Sequence, residues 1–382
     1  MTSEQWITEK LADLDAEHQR RHVTISHGER RHNFATNDYL DFAHHPALIK
    51  AAIDATQQNG TGSGASRLVS GTLELHAEVE HAIACAKGYP AALLFGSGYL
   101  ASIGVIPAIA GRGDYIFADR LSHACLLDGV HLSGAKLIRF RHNDLDDLKR
   151  QIERTGTSGR KIIITESVFS MDGDLAPLPD IATIAAKHHA MLMVDEAHAT
   201  GVFGPHGHGL VASHALQNAV HITMCTFSKA LGGYGAAVAC STAMRDWLIN
   251  KSRSFIFTTA PPPSVCGAAL AALDLLRKHP QLGQTLLDRA TFFRQQLHER
   301  GFSTATSASQ IVPVIIGDNE ITMNIAKELS TRGIQVGAIR PPTVPRGTAR
   351  LRFSVTLAHS QQDLIFAADA LHQAAGKSGW KR

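Results

Sequence analysis

The stretch MCTFSKALGGYG, which begins at Met224, ends a short apolar run with Thr226, Phe227 and Ser228 and then places one lysine, Lys229, before a run of small residues. A lysine in a loop is ordinarily a solvated surface charge. At the end of a buried strand, with small neighbours, its ammonium is poorly solvated and its pKa falls. A neutral amine is a nucleophile suited to a Schiff base, and small neighbours leave room for a planar ring. One strand earlier, in MLMVDEAHATG, Asp195 follows directly on four apolar residues. A carboxylate there needs a cation or several hydrogen-bond donors. A protonated pyridine nitrogen meets that need, and so does a structural or helix-capping role. His198 lies three residues on, within reach of the same ligand if the chain turns.

The letters DEAH also spell the acidic box of nucleic-acid helicases, where the aspartate holds magnesium. Such an enzyme needs the phosphate loop GxxxxGK[ST]. The chain's Gly-Lys-Ser, Gly376 to Ser378, has Leu371 where the first glycine belongs and no strand before it. The helicase reading fails on that point. GTGSGASR (Gly60 to Arg67) is not a dinucleotide fingerprint, because Ala65 fills its last glycine position. LLFGSGYLAS (Leu93 to Ser102) is more informative. A strand ends in Gly96-Ser97-Gly98 and a helix pattern follows, which puts free N–H groups where a phosphate could sit. His123, in DRLSHACLLDG, follows another strand and is either catalytic or one of many solvated or structural histidines in a chain with 22 of them. HGHG (His206 to Gly209) and the pairs His44-His45 and His188-His189 lack a third ligand at metal spacing, so no metal site is expected.

These residues need a sheet to converge. The apolar runs AALLF, YIFAD, KLIRF, KIIIT, MLMVD, HITMC and AAVAC alternate with segments such as LPDIATIAAKHHA that carry helical spacing. Such alternation predicts an α/β fold, a mostly parallel central sheet covered by helices. Functional residues in that fold sit at the carboxyl ends of strands. After TTAPPP (Thr258 to Pro263) the pattern changes to one long helical stretch over about 265–299. A strand (IVPVIIG), a helix, the proline-rich RPPTVPRG, a strand (ARLRFSV) and a last helix follow. A large domain over 39–264 and a smaller α+β domain from 1–38 and 265–382 are expected.

The 382 residues are 44% hydrophobic and 19% charged, long enough for two domains, and a net charge of +3 without basic runs gives no sign of a nucleic-acid partner. No apolar run reaches the roughly 18 residues that span a bilayer, and MTSEQWITEK carries acids where a signal peptide would be apolar. The five isolated cysteines read as small buried residues in a reducing compartment. A soluble cytoplasmic protein is expected.

TNDYL, GSGASRLVSGT, DRLSHACLLDG, ESVFSMDGD, VDEAHATGVFG and TFSKALGGYG together resemble the α-oxoamine synthases, which are pyridoxal 5'-phosphate (PLP) enzymes with the aspartate-aminotransferase, or type I, fold. The likeness covers nearly the whole chain and is strongest from Asn37 to Gly235. GSGASRLVSG and DRLSHACLLDG resemble the alanine-using, biotin-pathway branch more than the glycine-using ones. One departure is Asp41, where the family pattern has glycine after Asn-Asp-Tyr-Leu.

The resemblance implies a role for each matching residue. Lys229 holds PLP as a covalent Schiff base and later moves the Cα proton. Asp195 pairs with the pyridinium nitrogen, and His123 stacks on the ring. His198 and Ser170 bond the phenolic oxygen, while Gly98, Tyr99 and Thr226 lie around ring and phosphate. Thr258 or Thr259 reaches the phosphate of a neighbouring subunit in a homodimer, and Glu166 contacts the Schiff-base region. Arg352, which shares a strand face with Arg350, clamps the amino-acid carboxylate. Thr343 lines the acyl channel, and Arg20, or Arg21 beside it, meets the donor's distal carboxylate. The implied substrates are L-alanine and a pimeloyl thioester, carried by CoA or by an acyl carrier protein. A glycine- or serine-using relative, such as a 2-amino-3-oxobutyrate ligase, and a catalytically silent binding relative are the alternatives.

Overall fold

Seven apolar runs form the strands β1 (Ala91–Phe95), β2 (Tyr115–Asp119), β3 (Lys136–Phe140), β4 (Lys161–Glu166), β5 (Met191–Asp195), β6 (Ile222–Thr226) and β7 (Ala236–Cys240). The structure is a computed structural model that describes residues 4–23, 25, 31–156 and 158–380. The strands pair in the order β1-β7-β6-β5-β4-β2-β3. β7 is antiparallel to both of its neighbours, and every other pairing is parallel. Continuous apolar runs suit strands covered on both faces, and β1, β6 and β7 are buried along their whole length. β3, at a sheet edge, instead exposes Lys136 and Arg139, charges that discourage pairing with another chain.

Helices Gly98–Ile109, Ala124–Ser133, Leu145–Glu153 and Leu178–Lys187 connect the successive strands β1 to β5. Because β1, β2, β4, β5 and β6 run in one direction, their carboxyl ends open onto one edge of the sheet. The core beneath that edge joins Leu93, Val105, Ile116, Leu126, Ile164 and Met224. No helix among the described residues is long and apolar enough to cross a membrane.

The chain divides into two units. The larger spans Asp38–Ser170 and Leu175–Thr285; the smaller comprises the described residues up to Asn37, Met171–Asp174, and those from Leu286 onward. The sequence placed the division at residue 264. The structure places 265–285 in the larger unit instead, because helix Pro263–Lys278 packs on helix Pro46–Asn59. A Cβ added at Gly267 would come within 2.5 Å of the Ala51 carbonyl oxygen, so only glycine allows that approach. The long helical stretch expected over about 265–299 is two helices, Pro263–Lys278 and Leu282–Glu299, interrupted around Pro280, which has no N–H to donate.

In the smaller unit β8 (Ile311–Gly317), β9 (Gly337–Ile339) and β10 (Ala349–Ser354) form an antiparallel sheet in the order β8-β10-β9. β9, three residues long, was not expected from the sequence. The N-terminal segment joins this unit through an Asn33–Gln335 bridge and through Phe34, which packs on Phe293, Phe353 and His359. The cysteine expectation needs one correction. Cys125, Cys225, Cys240 and Cys266 are buried, but Cys85 is exposed, turned outward from its helix beside His81 one turn earlier.

Candidate active site

The carboxyl ends of the strands gather the chemistry-bearing residues of the larger unit. Lys229 follows β6, and its Nζ lies 2.7 Å from His198 Nε2. Asp195 is the last residue of β5 and accepts the Ala197 N–H at 2.8 Å. Burial pushes its carboxyl above the usual carboxylate range, and the Lys229 charge pulls it back. His198, buried on the turn after β5, receives Tyr39 at its other ring nitrogen, with Oη 2.7 Å from Nδ1.

His123 caps the helix Ala124–Ser133: its Nδ1 accepts the Cys125 N–H at 3.2 Å. Its backbone N–H donates to Glu166 Oε1 at 2.6 Å. The imidazole keeps an exposed face, yet protein packed along its other side lowers its pKa, with the Asp195 charge opposing. Burial first, then the Asp195 charge, pushes the Glu166 carboxyl up to about 8. Ser170 is buried in the loop after β4.

At the end of β1, Ser97 caps the helix Gly98–Ile109 by accepting the Leu100 N–H. The first N–H groups of that helix, at Gly98 and Tyr99, have no acceptor within the helix itself. The Tyr99 ring is exposed, and its hydroxyl donates to Asp128 Oδ2 at 2.8 Å. Thr226 donates its hydroxyl proton to the Gly235 carbonyl at 2.9 Å and lies 2.7 Å from the Ser228 hydroxyl. Ser228 is exposed, so its hydroxyl is the one able to turn toward an anion. The small residues after Lys229 do more than leave space. Gly232 has φ of +62°, and a Cβ there would come within 2.4 Å of Ala43 N, so only glycine lets the lysine loop rest on the turn after Leu40. In that turn Asp41 takes the left-handed conformation, φ 58°, which aspartate tolerates better than most residues. Asp38 holds the turn by accepting the N–H groups of Phe42 and Ala43. The departure from glycine at residue 41 therefore leaves the turn in place. Thr259 is exposed and pairs with Ser66 in a two-residue bridge, and Thr258 is half-buried.

The smaller unit holds the remaining candidates. Arg352, on β10, donates to the Ser354 hydroxyl at 2.8 Å and to the Asn37 side-chain oxygen at 3.2 Å. Arg350, two residues earlier, is paired with the Asp172 carboxylate. Arg21, rather than Arg20, donates to Thr343 Oγ1, at 2.9 Å. Arg20 pairs with Asp15 at 2.6 Å.

A family model described as aminotransferase class I and II matches residues 31–371. The chain belongs to this family. 8-Amino-7-oxononanoate synthase from Trichlorobacter lovleyi is 48% identical over 348 residues, covering 91% of this chain and 89% of that one. A lysine-to-alanine variant of serine palmitoyltransferase from S. paucimobilis, solved with bound PLP–myriocin, superposes with a TM-score of 0.92 at 30% identity, covering 99% of this chain and 98% of that one. The crystal structure of 8-amino-7-oxononanoate synthase from Francisella tularensis gives 0.78 at 29% identity, covering 90% of this chain and 98% of that one. The fold is the PLP-dependent type I fold of these structures.

The residues at the sheet edge fit the group that the palmitoyltransferase structure carries. Lys229 offers an amine against an imidazole. Asp195 is a buried carboxylate that a cationic ring nitrogen would relieve. The Gly98 and Tyr99 N–H groups and the Ser228 hydroxyl offer donors for a phosphate. Tyr39 and Ser228 were not singled out from the sequence, although TNDYL and TFSKALGGYG contain them. Ser228 could have been noticed as a hydroxyl one residue from the lysine, whereas Tyr39 gives no local sign of its partner.

Proposed function

We propose that this protein is a PLP-dependent acyltransferase of biotin biosynthesis. It condenses L-alanine with a pimeloyl thioester to give 8-amino-7-oxononanoate, the free thiol and CO2. The observation that carries this reading is the Lys229–His198 contact at the carboxyl edge of a type I sheet. It stands in a chain 48% identical to a relative bearing that enzyme's name. PLP, when bound, supplies an electron-accepting ring that stabilises negative charge at the alanine Cα.

Lys229 would hold the cofactor's aldehyde carbon, and its Nζ, when free, would accept the alanine Cα proton. Asp195 keeps a proton on the ring nitrogen, and the opposite charge relieves the cost of its own burial. His123 offers its exposed ring to the cofactor's face. His198 and Ser170 hold the phenolic oxygen, and Gly98, Tyr99, Thr226 and Ser228 surround the phosphate. Arg352 grips the alanine carboxylate. Thr343 lines the path of the acyl donor, and its hydrogen bond supports Arg21 over Arg20 for the distal carboxylate. The working form is a cytoplasmic homodimer in which Thr258 or Thr259 reaches the partner's phosphate, and the thioester carrier is CoA or an acyl carrier protein.

A serine-using reading has one observation behind it: the higher TM-score to serine palmitoyltransferase. Backbone likeness does not report on the room around an amino-acid side chain, so the assay must decide. Purified, PLP-loaded protein is given pimeloyl-CoA with L-alanine, glycine or L-serine, and thiol release is followed. Release with alanine alone, together with the amino-ketone, is the expected result. Release only with glycine or serine, or only from other acyl-CoAs, overturns the substrate assignment and leaves the family intact.

A further inference from the structure

Tyr39 is completely buried. Its hydroxyl lies 2.7 Å from His198 Nδ1, and on the far side of the same ring Nε2 lies 2.7 Å from Lys229 Nζ. A neutral imidazole carries one donor nitrogen and one acceptor nitrogen, so whatever holds one side decides what the other can do. A neutral phenol carries one proton that it is able to donate. When Tyr39 donates to Nδ1, the ring hydrogen must sit on Nε2.

We propose that Tyr39 is a positioning residue that fixes His198 as its Nε2–H tautomer, so that His198 presents a hydrogen-bond donor to the Lys229 nitrogen and to the cofactor atoms joined to it. The proposal rests on Lys229 as the PLP attachment point and is independent of which amino acid or acyl chain is used.

The direction of the effect follows from the donor. A hydrogen bond from Nε2–H onto the lysine nitrogen requires a lone pair there, so it favours the deprotonated nitrogen. Donation to an anionic phenolic oxygen acts in the same sense. Without the Tyr39 hydroxyl the ring can carry its hydrogen on Nδ1 and accept at Nε2, which favours a protonated nitrogen. Asp195, Glu166, His123 and Cys125 also interact with the Lys229 charge, and all four stay in place in the variants below.

The test is a spectrophotometric titration of the lysine-bound cofactor in PLP-loaded protein. Tyr39→Phe should move the titration midpoint upward by about half a unit to one unit, the size expected from one hydrogen bond. In a His198→Asn background the same substitution should move it no further, because the hydroxyl then has no imidazole to set. An unchanged midpoint in Tyr39→Phe, or an equal shift in both backgrounds, overturns the proposal, since a purely structural role would act without His198. Nitrogen NMR of the wild-type holoenzyme gives a second readout that survives a poorly folding variant. The ring signals lost in His198→Asn should show the hydrogen on Nε2, and finding it on Nδ1 rejects the idea.

Discussion

Two lysines flank the segment Asp195–Thr200, and they meet opposite surroundings. Lys87 is almost completely buried and donates at 2.8 Å to Glu196 Oε2, Thr200 Oγ1 and the His208 carbonyl. Glu196 spends its other oxygen on the Val211 N–H, also at 2.8 Å. Every donor of the Lys87 ammonium therefore has an oxygen, and a carboxylate balances its charge. Lys229 is only partly buried and sits against an imidazole nitrogen at 2.7 Å. The Lys87 ammonium is tied to a carboxylate, whereas the Lys229 nitrogen faces an imidazole. Adjacent acids face the two lysines: Glu196 neutralises Lys87, and Asp195 feels the Lys229 charge.

This contrast can be broken most sharply at Lys229. Lys229→Ala should lower turnover by about a thousandfold or more, roughly 4 kcal/mol of transition-state stabilisation, with a melting temperature close to that of the parent. Turnover surviving that change would leave the protein without its reactive lysine. Lys87→Met should do the reverse. It strands Glu196 in the interior, at a cost of about 3–5 kcal/mol, and urea unfolding of the cofactor-free protein measures that loss. Activity per folded molecule should stay within about threefold of the parent. A Lys87→Met protein as stable as the parent would show that the buried pair is not structural.

The smallest effect sharpens the reactive side. Glu166 accepts a backbone N–H rather than an ammonium, and its carboxyl is pushed up to about 8 from an ordinary 4.5. The folded protein then binds this proton more tightly than the unfolded chain does. The stabilising contribution is complete below about pH 4.5 and is lost as the pH rises through 8. Cofactor-free parent protein should therefore lose stability relative to Glu166→Gln across that window, by a few degrees in melting temperature. A difference that stays flat with pH would mean that Glu166 titrates like an ordinary carboxylate.

Much of the fold was legible because its strands are buried on both faces and so appear as uninterrupted apolar runs. Asp195 was legible for a related reason, since a charge directly after such a run has few places to go, and Lys229 by the small residues that follow it near a strand end. Short or contact-dependent features were not. β9 is three residues long, too few to show a period. The unit boundary lies within helix Leu282–Glu299, whose residues look alike on either side of it. DEAH spelled a helicase box that the lack of a phosphate loop then denied, and the partner of its Glu196, Lys87, lies 109 residues away in the chain.

The sequence by itself determined the alternation of strands and helices, the carboxyl-edge address of Asp195 and Lys229, and the motifs that resemble PLP enzymes. Each of these is written in neighbouring residues, through periodicity and local composition. Only the tertiary structure decided which partners the charged groups meet. Tyr39 is 159 residues from His198, and His198 is 31 from Lys229. A hydrogen bond needs its atoms within about 3 Å. That closeness comes from the order in which the strands assemble, which a local pattern does not carry.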